Sequence, residues 1–335
     1  MDRQKVLVAD DEETVRYVFS GVLEHEGLEV ATAADGEEAL RVFDEFEPDL
    51  VLLDVVMPKL NGLEVCERLK GTPKSCLTPV VMITASSIKQ NRIRALQIGA
   101  DDFLSKPVDR IELVARVRSL LRIKRYTDEL ESAETVLMAL ARSIEGKDPY
   151  TEGHCERLSF YAARLGRRLM LPDDQLVALR RAGILHDVGK VAVPDAILLK
   201  PGPLTEEERR TMREHPIVGE KICRGLKSFR YVLPIIRHHH EKINGTGYPD
   251  GLKGDEIPLT ARILTIVDVF DALSTKRPYR DALPLEQVRT IMQEEVDKGW
   301  WDPDLFHEFL EMLKEETGLL AEAKQSESLV TAGAL

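Results

Sequence analysis

Six of the chain's eight histidines, His154, His186, His215, His238, His239 and His240, fall within less than a third of its length. Three of them are consecutive in "HHHEKINGTGYP", residues 238–249. A neutral imidazole offers a lone pair to a cation or a proton, so a cluster beside carboxylates points to metal binding or acid–base chemistry. One histidine alone reads as a satisfied core or surface residue; clustering separates a site from scatter. "ILHDVGK" adds the adjacent pair His186–Asp187, which is costly among apolar residues unless something partners both. Lys190 follows three residues later and on a helix lies near Asp187, either as a plain ion-pair partner or as a cation for phosphate. In "ARILTIVDVFDAL", Asp268 interrupts an apolar helical run, and a buried carboxylate must be neutralised, paired with an arginine or metal-bound. Successive helix positions point about 100° apart, so the three consecutive histidines cannot all face one atom. Two of them can reach two adjacent metals, and spacing leaves the pair open.

A second constellation lies near the start. "KVLVADDEE" is a short apolar run ending in Asp10 and Asp11, and "PDLVLLDVVMP" repeats the design around Asp54. "TPVVMITASS" and "ADDFLSKPVD" contribute Thr84 and Lys106 at the ends of further strand-like segments. Helix-like stretches such as "GEEALRVFDEF" and "NGLEVCERLK" lie between them, and that alternation predicts a parallel sheet covered by helices. Ligands of such sheets sit at the carboxyl ends of the strands, where all five residues fall. Each acid taken singly could merely cap a helix. Converging together they repel unless a cation joins them, and Mg²⁺ suits oxygen ligands.

These residues resemble the receiver domain of two-component response regulators over residues 1–122: Asp10 and Asp11, Asp54 ahead of "MPKLNG", Thr84 in "ITA" and Lys106 in "SKP". The resemblance implies a doubly wound (βα)5 α/β fold in which Asp54 accepts a phosphoryl group from a cognate histidine kinase. It implies Mg²⁺ on Asp11 and Asp54, with Lys106 and Thr84 gripping the phosphoryl oxygens. Phe103 stands at the position of the family's switch aromatic.

The elements that must position the histidines are helices. "DPYTEGHCERLSFYAARLGRRL" reads as one, with His154, Leu158, Tyr161, Leu165 and Leu169 on a single face. "DQLVALRRAGIL" reads as a second, running into His186. Thr205 and Glu208 form a capping-box start for the helix before His215, which taken alone is uninformative. No proline or glycine occurs between Pro107 and Gly146, so a connector helix over 123–140 can join the two regions almost unbroken. Leu130, Ala133, Leu137, Leu140 and Ile144 step by three and four along it. That seam suits either docking on the chain's own domain or a parallel homodimer.

"HDVGK", "HHEKINGTGYP" and the spaced His154, His215 and Asp268 resemble the HD-GYP family, a subgroup of the mainly α-helical HD-type metal phosphohydrolases, over residues 141–322. The resemblance implies a cyclic di-GMP phosphodiesterase whose metal ligands are His154, His186, Asp187, His215, His239, His240 and Asp268. Asp187 would bridge two metals and His238 would be spare. Gly247, Tyr248 and Pro249 would form the signature loop; Lys190 would act with Asp187 in catalysis and, together with Gly247, Tyr248 and, in "STKRPYR", Arg277 and Arg280, would meet the substrate. Some members carry a glutamate four residues before the first ligand histidine and house a third metal; here that position is Tyr150. Two metals are therefore expected, iron or manganese with zinc also compatible, and hydrolysis mainly to linear pGpG under control of phosphorylation at Asp54.

Composition narrows the alternatives. A formal net charge of −12 argues against DNA or a membrane surface as a general partner, because those need broad basic fields. An anionic ligand must then find a local basic pocket. The four cysteines show no CxxC spacing, and the start turns acidic where a signal peptide needs an apolar stretch, so a cytoplasmic protein with reduced thiols is expected. Residues 323–335 read as a weakly ordered tail. Two competing readings are an HD-type phosphohydrolase acting on another nucleotide and a catalytically silent module that binds cyclic di-GMP or a partner. The Gly-Tyr-Pro loop and the downstream arginines weigh against the first, and the complete ligand set against the second.

Overall fold

The computed structural model describes residues 3–72, 74–85, 89–146, 153–276 and 281–315. The chain divides into two compact units, 1–133 and 134–335. In the first, strands β1 (Lys5–Ala9), β2 (Glu29–Ala33), β3 (Leu50–Asp54), β4 (Val80–Ala85) and β5 (Asp102–Lys106) alternate with helices α1 (Glu13–His25), α2 (Gly36–Phe46), α3 (Gly62–Lys70) and α4 (Lys89–Ile98). All strand pairs are parallel in the order β2-β1-β3-β4-β5. The apolar runs seen in the sequence are continuous because both faces of this sheet are covered: Leu50, Val51, Leu52 and Leu53 are all fully buried. The strand order reverses between β1 and β3, which opens a crevice at their carboxyl ends.

Helix α5 (Arg110–Glu145) runs without a break across the boundary between the units. Its last turns belong to the core of the second unit, where Ala141 and Ile144 are buried and Leu137 packs alongside. Leu130 and Leu140 remain 44% and 36% exposed, so the seam read from the sequence is divided between an internal face and an open one.

The second unit is helical. Its elements are α6 (His154–Arg168), α7 (Asp173–Leu185), α8 (Asp195–Leu198), α9 (Glu206–Met212), α10 (His215–Cys223), α11 (Leu233–His238), α12 (Leu259–Ser274) and α13 (Leu285–Asp297), with a further helix over 303–315. Each of the central helices buries a stripe at three- and four-residue spacing: Leu158, Ala162 and Leu165 on α6; Ala178, Ala182 and Leu185 on α7; Ile263, Leu264 and Val267 on α12. Fully burying a leucine-sized side chain is worth roughly 1.5–3 kcal/mol, so this shared core outweighs the cost of the polar residues that the same helices carry inward. No helix among the described residues is long and apolar enough to cross a membrane.

Candidate active site

The receiver-like unit gathers its acids at the strand ends. Oxygen atoms of Asp10, Asp11 and Asp54 lie within 4.8 Å of one another. Lys106 at the end of β5 sets its Nζ 2.8 Å from Asp10 Oδ2 and 2.8 Å from Asp54 Oδ2. Burial pushes the Asp54 carboxyl up, with Lys106 pulling against it. Lys106 is held above its usual range: burial would lower it, and the hydrogen bonds it donates to the two carboxylates prevail. Three carboxylates converge here beside a single ammonium, and such an all-oxygen donor set fits an oxygen-seeking cation. Thr84 stands at the end of β4, and Phe103 on β5 packs partly buried against one core of the sheet.

In the helical unit each candidate ligand sits where a helix begins, ends or crosses. His154 opens α6, His186 caps the end of α7, His215 opens α10, and Asp268 lies inside α12. These side chains form two donor groups: Asp187, His215, His239 and His240, and beside them His154, His186 and Asp268, with ligand atoms within 4.8 Å in each group. Asp187 faces both, with Oδ1 3.2 Å from His215 Nε2 and Oδ2 3.3 Å from His186 Nε2. Neither approach is aligned as a hydrogen bond, and His186 Nε2 and Asp187 Oδ1 are buried polar atoms without such a partner among the described residues. Orphaned buried atoms of this kind call for an occupant, and a mixed imidazole–carboxylate set fits transition-metal cations.

His239 and His240 fall in the same donor group, rather than one on each of two cations as helical spacing allowed. The reason is local: α11 ends at His238, so the 100° rotation no longer separates the last two rings, whose centroids are 4.1 Å apart. His238 turns away to Asp250, 3.0 Å from Oδ2, and belongs to neither group. Lys190, in the 3-10 turn Val188–Ala192, places Nζ 2.5 Å from Asp187 Oδ2.

Protonation suits cation binding at Asp187, His239 and His240. Burial would raise Asp187, yet the charges of Lys190 and His186 hold its carboxyl well below the usual range. Burial, reinforced by neighbouring imidazoles, keeps His239 and His240 well below theirs, so both present neutral rings at neutral pH. For His186, burial pulls downward but the Asp187 carboxylate prevails and raises it.

Residues 138–305 match the family described as HD domain, and residues 6–118 match the response regulator receiver domain. The chain belongs to the HD-domain family, with a receiver domain in front. This HD-domain protein is 36% identical over 304 residues to the cyclic di-GMP phosphodiesterase response regulator RpfG of Xanthomonas campestris pv. campestris, covering 84% of this chain and 80% of that one. It is 30% identical over 352 residues to a cyclic di-GMP phosphodiesterase of Thermotoga maritima, covering 96% and 94%. A 3′3′-cGAMP-specific phosphodiesterase of Vibrio cholerae is 43% identical over 173 residues, 52% of this chain and 37% of its own.

The Gly-Tyr-Pro loop of this HD domain lies against the donor groups. Tyr248 stacks on His240 with ring centroids 4.7 Å apart, and the Arg213 guanidinium lies 5.3 Å from the centre of the tyrosine ring. Gly247 is required by contact rather than by dihedral angle, since a Cβ there would come within 2.4 Å of Glu241 Cα and Lys242 N. Arg277 and Arg280, Tyr150 and the tail lie outside the described residues.

Sequence reasoning passed over several residues that shape this site. Glu241 is buried and accepts backbone N–H groups from Asp250, Gly251 and Leu252 at 2.7, 3.0 and 3.2 Å, which fastens the loop. Asp271, 2% exposed, takes His154 Nδ1 at 2.7 Å and Arg157 Nε at 2.6 Å. Burial raises Asp271, but those two hydrogen bonds outweigh it and leave the carboxyl below its ordinary range. The signal for Asp271 was available: it breaks the apolar pattern of α12 one turn after Asp268, by the argument that singled out Asp268.

Proposed function

We propose that this protein is a response regulator in which phosphorylation of Asp54 by a histidine kinase controls hydrolysis of cyclic di-GMP, mainly to linear pGpG. The observation that carries the reading is the pair of abutting donor groups with Asp187 between them and His186 Nε2 and Asp187 Oδ1 left as orphaned buried atoms. His154, His186 and Asp268 would hold one cation and His215, His239 and His240 the other, with Asp187 facing both groups. Iron or manganese suits this donor set, and zinc is compatible with it. What such a pair supplies when bound is a lowered pKa for the attacking water and positive charge against the phosphoryl oxygens.

The chain's own groups do the rest. Water attacks phosphorus, the bond to the 3′ oxygen breaks, and a 5′-phosphate and a free 3′-hydroxyl remain. Lys190, held at Asp187, offsets charge on the non-bridging oxygens. Tyr248, backed by His240, and Arg213 beside it offer an aromatic face and a cation to the dinucleotide, and Arg277 and Arg280 add charge from the following segment. Lys190 and Arg213 supply near the donor groups the local positive charge that an acidic chain needs for an anionic substrate.

In the receiver domain, Asp11 and Asp54, with Asp10 beside them, would hold Mg²⁺. A phosphoryl group of charge about −1.5 to −2 on Asp54 is met by Lys106 and Thr84, and Phe103 reports the change. Coupling to the HD domain runs through α5, whose Ile144 and Glu145 line a cavity of about 30 Å³ together with His154, His186, Asp187 and Lys190. The end of this helix thus shares a cavity wall with four of the site's residues. The exposed Leu130 and Leu140 offer a second copy a seam on which to pair.

A second reading, hydrolysis of 3′3′-cGAMP at the same site, is favoured by the relative that is 43% identical within the HD domain. One assay separates them. Iron- or manganese-loaded protein is given cyclic di-GMP, 3′3′-cGAMP and mononucleotides, with and without beryllofluoride on Asp54. Release of pGpG from cyclic di-GMP, altered by beryllofluoride and abolished in the His186→Ala/Asp187→Ala variant, is expected. Faster cleavage of 3′3′-cGAMP reverses the ranking, and an active double variant refutes the site.

A further inference from the structure

The ligand histidines are not held alike. His186 Nδ1 lies 3.1 Å from Gly183 O, His215 Nδ1 lies 2.8 Å from Met212 O, and His239 Nδ1 lies 2.7 Å from Ile236 O. Each follows a helical turn whose last carbonyls lack intrahelical partners, and each uses the carbonyl three residues back. His154 opens a helix instead, and its Nδ1 meets a carboxylate, Asp271 Oδ2 at 2.7 Å. Arg157, one turn along α6, forks onto the same carboxylate with Nε 2.6 Å from Oδ1 and a terminal nitrogen 3.0 Å from Oδ2. Asp268, one turn back along α12, sets Oδ1 3.5 Å from the opposite ring nitrogen, His154 Nε2. Two residues of α6 thus interlock with two of α12, and His154 has a carboxylate on each side.

We propose that Asp271, braced by Arg157, is the positioning residue of the His154–His186–Asp268 group and sets the affinity of that group for its cation. This inference rests on the metal reading above. With the proton on Nδ1 donated to Asp271, the Nε2 lone pair of His154 is fixed toward His186 and Asp268. A partner on the outer nitrogen of a metal-binding histidine fixes both tautomer and ring plane, and its loss costs about 10–100-fold in metal affinity. Arg157 has a second effect: by engaging both oxygens it keeps Asp271 from turning toward the cation as an additional ligand. A buried carboxylate with neither partner would be strongly unfavourable, so the three side chains act as a unit.

The test uses the full chain, with Asp271→Ala and the nearly isosteric Asp271→Asn, the latter keeping the measurement available if the alanine variant does not fold. Manganese binding is titrated against a chelator, and the spin coupling of the bound ions is followed by electron paramagnetic resonance. Wild type should bind two ions with a coupled signal. In the alanine variant one of the two affinities should fall about 10–100-fold, with the other unchanged and the coupled signal replaced by that of a single ion. The asparagine variant should fall between. Two unchanged affinities in a folded variant overturn the proposal, as does equal weakening of both sites together with a lower melting temperature, the mark of a merely structural role. A wild-type chain that binds two ions but leaves cyclic di-GMP intact overturns the substrate reading and leaves this assignment standing; one that binds no manganese overturns both.

Discussion

Replacing Gly189 of "HDVGK" by alanine tests how the donor groups are assembled. A Cβ built on Gly189 lies 1.9 Å from the carbonyl oxygen of His215 and 2.5 Å from the Gly219 nitrogen, both backbone atoms on the facing helix α10. Real Cβ contacts essentially never fall below 3.0 Å, so the turn and the helix must part by about 1 Å. The same turn and helix carry Asp187 and His215, whose Oδ1 and Nε2 lie 3.2 Å apart, so parting them disturbs that approach. Overpacking of this sort costs about 1–3 kcal/mol of stability, and a misplacement of about 1 Å at a reacting centre costs about 100-fold in rate. Gly189→Ala should therefore lose manganese from the group containing His215, melt at a lower temperature and hydrolyse cyclic di-GMP about 100-fold more slowly. Gly225→Ala, where an added Cβ meets nothing within 4 Å, is the matched control and should leave all three unchanged. Metal content by mass spectrometry, calorimetry and turnover give the three readouts. A Gly189→Ala protein with two bound ions and turnover within twofold of wild type refutes the reasoning.

Other expectations follow from the same geometry. Glu241→Gln leaves at least one of three part-buried N–H groups facing the amide NH2 instead of a carboxylate oxygen, at a cost of about 1–3 kcal/mol; it should raise KM for the dinucleotide more than it lowers kcat, as steady-state kinetics will show. Burial pushes the Cys66 and Cys223 thiols from 9.0 up to about 11. Between those pH values the unfolded chain has lost protons that the folded chain keeps, so these thiols' contribution to stability is complete below about pH 9 and declines as pH rises toward 11. Alkylation of the native protein at pH 8 should mark Cys76, the half-buried thiol, and spare buried Cys66, Cys155 and Cys223, which react after denaturation. Leu130→Glu/Leu140→Glu introduces charge on the open side of α5 and should convert any dimer to monomer in sedimentation equilibrium without lowering the melting temperature; an unchanged mass for a dimeric wild type rejects the seam.

The receiver fold was readable because its signals are local. Val6–Ala9 and Leu50–Leu53 are continuous apolar runs that only a sheet covered on both faces can bury, and each acid or lysine stands directly at a strand end. The helices bearing His154 and His186 were legible from three- and four-residue spacing, and the capping box at Thr205 and Glu208 forms as expected. Less legible were residues whose partners are remote. Glu241 looks like one more surface acid after three histidines until the chain turns back and offers it three N–H groups. Asp271 pairs with His154 across 117 positions, and Gly189 carries no visible reason to be glycine until α10 lies against it.

Residue chemistry and local periodicity were decided by the sequence itself: which side chains can hold a cation or a phosphoryl group, and whether each rides on a helix, a turn or a strand end, since these depend on neighbours a few positions away. Tertiary structure alone decided which of them meet. The burial of α6, α7 and α12 around one core brings His154 to Asp268 and Asp271, sets Asp187 between two groups, and puts His239 and His240 together once their helix has ended. Those approaches come from close packing between segments far apart in the chain, which leaves no trace in the order of the residues.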